Sequence, residues 1–235
     1  MERKFSLAIH DLKVSGDEST VNKITAISGM FQAPLTLHLI FDEPLKEGSA
    51  LYDFLRENIQ TGKVEVVFHG LTHLCSEKVA RWIAWYHKYQ AEYLVDSDIL
   101  RSDSALMYKR LSDTLGFNPG ICPPCWLASR KNLMFLKSLN PSYIETILNI
   151  LAGQKKYFSS VLSLASPDDT ELFFLRILAR IIYILSVIFR VKRIRIAVHD
   201  CDLSKPLSME FFGKIIPLVQ KHRYKAVLQK NLIEI

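Results

Sequence analysis

The stretch Val64-Glu65-Val66-Val67-Phe68-His69-Gly70-Leu71-Thr72-His73 decides how the rest of the chain is read. Its first five residues are a largely β-branched and aromatic run of strand length, and the run ends directly in two histidines four positions apart. In one helical turn or a tight turn, positions i and i+4 project to the same side. That is what a divalent transition metal requires of two neutral imidazoles. The spacing also serves plainer ends, with His69 as a satisfied core histidine and His73 as a turn residue, and the glutamate of H-E-x-x-H is missing here.

Two further apolar runs end in the same fashion. Phe5-Ser6-Leu7-Ala8-Ile9 leads into His10-Asp11, and Ile194-Arg195-Ile196-Ala197-Val198 leads into His199-Asp200. In parallel α/β folds the carboxyl ends of the strands gather on one face, where polar groups meet ligands while the strand bodies fill the core. Around these three runs the pattern alternates. Strands are expected at 5–10, 35–41, 64–69, 120–124, 142–147, 157–164, 194–199 and 225–229. Helices are expected at 17–31, 48–60, 86–93, 102–115, 129–138, 169–189 and 206–221. Repeated βα units imply a parallel sheet, either an open doubly wound one or a barrel.

Four pieces together resemble the polysaccharide deacetylase (NodB-homology) family, in particular a divergent bacterial branch whose first motif reads His-Asp. They are Ile9-His10-Asp11, His69-Gly70-Leu71-Thr72-His73, Gly120-Ile121-Cys122-Pro123-Pro124-Cys125-Trp126-Leu127 and Ala197-Val198-His199-Asp200. They occur in the family's order and span nearly the whole chain. The resemblance implies one domain over 1–235, an irregular (β/α) barrel of seven or eight mostly parallel strands. It implies a metal-dependent hydrolase that removes an acyl group, N-acetyl above all, from a carbohydrate or a related small amide. Asp11, His69 and His73 would hold the divalent metal, a set suited to zinc and also to cobalt, nickel or iron. His199 would protonate the departing amine, with Asp200 beside it orienting the ring, and Pro124 and Trp126 would line the substrate pocket. Where relatives place an aspartate as base, this chain has His10, and where they brace that base with an arginine it has Cys122. An impaired deacetylase-like barrel that binds glycans or a partner is the alternative implied by those departures.

Cys122-Pro123-Pro124-Cys125 is a C-x-x-C element, but the other two cysteines, Cys75 and Cys201, stand alone, so no second pair completes a zinc ribbon. Two prolines also stiffen the turn that a thiol redox pair would use. Trp82, Tyr86, Tyr89 and Tyr93, with Trp85 beside them, share helical spacing, either as core packing or as a stacking wall for a sugar ring.

Composition narrows the remaining classes. With 235 residues, 49% of them hydrophobic, the chain can bury a large core as one unit. The formal charge of +6 comes without a nucleic-acid module or a long basic run, so no nucleic-acid partner is expected. Met1-Glu2-Arg3-Lys4 runs straight into a strand rather than a signal sequence, so a cytoplasmic location is expected. Residues 172–193 are apolar but carry Arg176 and Arg180, and are followed within the segment by Arg190, Lys192 and Arg193. They read as a barrel helix that also suits a peripheral membrane contact, not a span.

Overall fold

The computed structural model describes residues 2–73, 91–164 and 169–233. Among these residues ten strands form one sheet: β1 (Arg3–Lys13), β2 (Leu35–Ile40), β3 (Val64–Phe68), β4 (Gly120–Ile121), β5 (Ile144–Glu145), β6 (Asn149–Ala152), β7 (Lys155–Phe158), β8 (Ser160–Ser163), β9 (Arg193–His199) and β10 (Tyr224–Ala226). The helices are α1 (Asp17–Phe31), α2 (Ala50–Gln60), α3 (Asp98–Leu115), α4 (Arg130–Ser138), α5 (Asp169–Ile188), α6 (Asp200–Leu203) and α7 (Pro206–Lys221). Along the path β8-β9-β1-β2-β3-β4-β5 every pairing is parallel, and the sheet curls into a nearly closed (β/α) barrel. β10 pairs with β1, also in parallel.

The central strands read as continuous apolar runs because helices cover their outer faces. All six residues of β2 and all five of β3 are buried. Serine side chains start three helices: Ser49 accepts from the Tyr52 amide, Ser97 from Leu100 and Ser129 from Asn132. The Ser97 cap starts α3 four residues before the expected Ser102, and Gly116 ends it in the left-handed conformation.

Residues 142–164 differ from expectation. Instead of two short strands, the chain forms β5, then an antiparallel β6–β7 hairpin, then β8, which returns to pair with β9. The turn is made by Gly153, at φ +55°. The expected strand at 157–164 is therefore two strands with different partners, divided at Ser159.

The interior of the barrel is polar. Alternation along each strand puts Ser6, Ala8 and His10 on one face of β1, Thr36 and His38 on one face of β2, and Arg195, Ala197 and His199 on one face of β9. These rows meet inside. Ser6 Oγ donates to Gln229 Oε1, and Tyr143 Oη donates to Glu65 Oε1 at 2.8 Å. Arg195, 2% exposed, puts Nη1 3.0 Å from Glu145 Oε2 and donates from Nη2 to the Thr146 and Ile147 carbonyls. His38 Nε2 lies 3.1 Å from Glu145 Oε1. Burial opposes the Glu145 charge, yet His38 and Arg195 beside it hold the carboxyl down at about 2.

Trp82, Trp85, Tyr86, Tyr89 and Cys75 lie outside the described residues. Tyr93 is fully buried with its hydroxyl 2.8 Å from Ser104 Oγ, a core position.

Candidate functional site

The parallel register aligns three strand ends on one rim. His10 of β1 pairs with His199 of β9, and His69 follows directly on β3, where Phe68 pairs with Ile121. In a regular strand His10 and Asp11 would face opposite sides of the sheet. Between Ile9 and Leu12, however, β1 advances three residues while β2 advances two, from Leu37 to Leu39. The extra residue is a β-bulge, and Asp11 takes it up at φ +64°. Both side chains thereby line the same cleft.

The histidine loop is held by a residue that sequence reading passes over. Gly70 stands at φ +87°, and a Cβ built there would lie 2.1 Å from Glu92 Oε1 and 3.1 Å from Pro124 Cγ, so only glycine fits. Glu92, 2% exposed, fills that space. Its Oε1 accepts from the Leu71 amide, and its Oε2 accepts from the amides of Thr72 and His73 and from the Thr72 hydroxyl. The H-x-x-x-H geometry is thus a loop wrapped round one buried carboxylate rather than a helical turn. His73 closes it at φ +57°.

His69 Nε2 and His73 Nε2 each stand 3.1 Å from Asp11 Oδ1, and 3.2 Å from one another. Three donor atoms about 3 Å apart match adjacent ligand positions around one ion with bonds of about 2 Å. The protons agree. His69 Nδ1 is 2.7 Å from the Cys122 carbonyl, which can only accept, so the ring hydrogen sits on Nδ1. Burial pushes the His69 pKa down to about 4, so at neutral pH its Nε2 presents a bare lone pair to the Asp11 carboxylate. Burial would raise Asp11, but the two imidazoles hold it well below the usual carboxylate range. His73 brings at most one hydrogen at Nε2 for two acceptors. A divalent cation fits this donor set, and the Nδ1–carbonyl bond on His69 is the orienting contact that such ligands use.

His10 is buried beneath the triad, its ring centroid 3.6 Å from that of His38, 4.9 Å from His199 and 5.1 Å from His69. Burial, reinforced by the neighbouring imidazoles, lowers its pKa well below the usual histidine range. His199 behaves oppositely. Burial disfavours its charge, but Asp202 and Asp11 outweigh that and raise it. Asp202, fully buried, accepts the His199 amide at 2.9 Å and stands 3.7 Å from its Nδ1. Asp200 turns outward to Lys23, 2.7 Å away. The acid beside the His199 ring is therefore Asp202, and Asp200, expected from the resemblance to orient that ring, is not brought into the cluster.

Trp126 reaches the cleft, with its ring centroid 5.1 Å from that of His10, while Pro124 packs behind Gly70 and does not line it. Cys125 and Trp126 both adopt positive φ, so the Pro-Pro-Cys-Trp segment is a tight turn. Cys122 and Cys125 are not joined to one another by a disulfide. Burial pushes the Cys122 thiol well up, the reverse of what a redox thiolate needs.

The cleft has a volume of 420 Å³ and runs from the triad along α5. No helix among the described residues is long and apolar enough to cross a membrane.

No protein-family model and no curated protein matches the chain in sequence. Solved structures do match its fold. A protein from Mycobacterium smegmatis described as a polysaccharide deacetylase aligns at a TM-score of 0.57 and 13% identity, over 99% of this chain and 90% of that one. One from Pseudomonas aeruginosa PAO1, also described as a polysaccharide deacetylase, aligns at 0.58 and 12%, over 97% and 88%. Puue allantoinase aligns at 0.57 and 12%, over 97% and 87%. The chain therefore shares, over its whole length, the (β/α) barrel fold of proteins described as polysaccharide deacetylases and of an allantoinase.

Proposed function

We propose that the protein is a metal-dependent hydrolase of N-acyl amides, acting on an acylated amino sugar or a related small amide. The observation that carries this is the convergence of Asp11, His69 and His73 with lone pairs facing one another at the mouth of a cleft. The structural neighbours include proteins described as deacetylases and an allantoinase, which agrees with amide chemistry on this fold.

A divalent cation in the triad supplies a Lewis acid that acidifies water and polarises an amide carbonyl. Zinc is the first candidate, and cobalt, nickel and iron suit the same donors. The remaining roles fall to imidazoles whose pKa values are pushed apart, the usual mark of an acid and a base in one site. His10, neutral at working pH, is the group able to take a proton from water. Its low basicity makes it a modest base. His199, whose hold on a proton Asp202 strengthens, hands a proton to the amine nitrogen as the C–N bond breaks. Trp126 walls the substrate side.

Asp11→Asn tests this reading, because the amide keeps the shape but loses the anionic ligand. With protein loaded with Zn²⁺ or Co²⁺ and a panel of N-acyl glucosamines and short amides, the wild type is expected to release carboxylate. Asp11→Asn should fall by more than about a hundredfold, since loss even of a group supporting a ligand costs about 10–100-fold. Metal binding without turnover on any substrate would favour the impaired, ligand-binding alternative instead.

A further inference from the structure

We infer that the acyl group removed at this site is a long aliphatic chain, and that the chain lies in the cleft walled by α5. This deepens the proposed amide hydrolysis and rests on it. Beyond the triad and its imidazoles, the cleft is lined by side chains of Leu148, Phe158, Val161, Leu178, Ile182 and Leu185, among others of the same kind. Phe158, Leu178 and Leu185 are each about half exposed, so apolar surface lies open along a channel that begins at the candidate metal ligands. A volume of 420 Å³ falls in the range of small-molecule pockets, about 300–1,000 Å³. A two-carbon acetyl would leave most of it unfilled.

The cleft's chemistry also decides which part of the substrate enters. An amino sugar carries hydroxyls that need partners when buried. Past the imidazoles, the polar side chains on the walls among the described residues are the hydroxyls of Ser160, Ser163 and Ser186. Ser186 Oγ already donates to the Ile182 carbonyl at 2.7 Å and stands 2.9 Å from Ser160 Oγ. A sugar ring placed here would lose its hydration without replacement, whereas methylenes lose nothing. An acyl chain is bonded directly to the carbonyl carbon, so it can start at the triad and continue into the apolar channel, leaving the amine portion toward solvent. In the reaction water adds its oxygen to that carbonyl carbon, the C–N bond breaks, and the nitrogen takes the proton, giving a long-chain carboxylate and a free amine.

The experiment compares N-acyl glucosamines from acetyl to dodecanoyl with the Zn²⁺- or Co²⁺-loaded protein, and separately measures dodecanoate binding by calorimetry with metal-free protein. Each buried methylene is expected to contribute about three- to fourfold. kcat/KM should then rise at least a hundredfold between acetyl and octanoyl, and dodecanoate should bind at least tenfold more tightly than hexanoate. Leu178→Glu, at a half-exposed position where folding tolerates charge, should flatten the chain-length dependence and weaken dodecanoate at least tenfold. Equal or better turnover of the acetyl compound would overturn the inference while leaving the hydrolase reading standing. Dodecanoate binding that Leu178→Glu removes, with no substrate hydrolysed, would keep the chain site and sink the hydrolase. Affinity for phosphatidylglycerol vesicles with none for monomeric dodecanoate would overturn the inference in favour of bilayer docking.

Discussion

Arg195→Met should lower the unfolding free energy at pH 7 by about 3–5 kcal/mol, the cost of leaving a buried charge without its partner. Methionine matches the length of the arginine stem but supplies none of the contacts to Glu145, Thr146 and Ile147. Of a total stability of about 5–15 kcal/mol, that is a loss of a third or more. The pH dependence identifies the cause. In the native protein the Glu145 carboxyl is held at about 2, below its ordinary 4.5, so its contribution is complete above 4.5 and is lost as pH falls through 2. Without Arg195 the carboxyl keeps His38 beside it but loses its cation, so it rises from about 2 toward its unfolded value. The variant's carboxyl then takes up its proton at a higher pH than the native one, so the deficit should narrow as pH falls below 4.5 toward 2. Adding Glu145→Gln should recover much of the loss. Urea unfolding at pH 7 and about pH 3 checks all three statements, and a deficit that stays constant with pH would show that the Glu145 charge is not what Arg195 offsets.

Glu92→Gln is expected to weaken divalent metal binding about 10–100-fold while leaving the barrel folded, the range found when a group that orients a ligand is lost. The substitution keeps size and shape. Both carboxylate oxygens accept backbone amides, Oε1 from Leu71 and Oε2 from Thr72 and His73, so either orientation of the glutamine turns an NH₂ against a buried N–H. The loop must then open, and His73, which follows the Thr72 contact, moves away from Asp11. Competition against a chromogenic chelator with Co²⁺, alongside far-ultraviolet circular dichroism, separates loss of the site from loss of the fold. Unchanged affinity would mean that the loop is set by something other than Glu92.

Much of this site could be read from strand-end residues. Three apolar runs ending in histidine identified the parallel rim, because β-branched runs form buried strands and parallel strands end together. The β6–β7 hairpin was not legible, since Asn149 to Ser163 carries no strong two-residue turn signal and its short strands blend into one apolar pattern. At the site, His10, Asp11, His69, His73 and His199 do come together. The means by which Asp11 does so, a one-residue bulge, depends on the register between β1 and β2, which a local pattern does not contain. Glu92 and Asp202 were missed for a related reason. Each is a lone acid in a polar surrounding, and only the tertiary fold turns one into an acceptor for a loop nineteen residues earlier in sequence and the other toward the His199 ring. Arg195 sits within an apparently apolar strand, where alternation sends it into a polar barrel interior that hydropathy does not reveal.

The central claim is that Asp11, His69 and His73 hold one divalent cation, and metal content measures it most directly. Native mass spectrometry with elemental analysis, on protein exposed to stoichiometric Zn²⁺ or Co²⁺ and then desalted, should give one ion per chain for the wild type and none for Asp11→Asn or His69→Ala. A wild-type protein that emerges metal-free, or variants that keep the ion, would contradict the account.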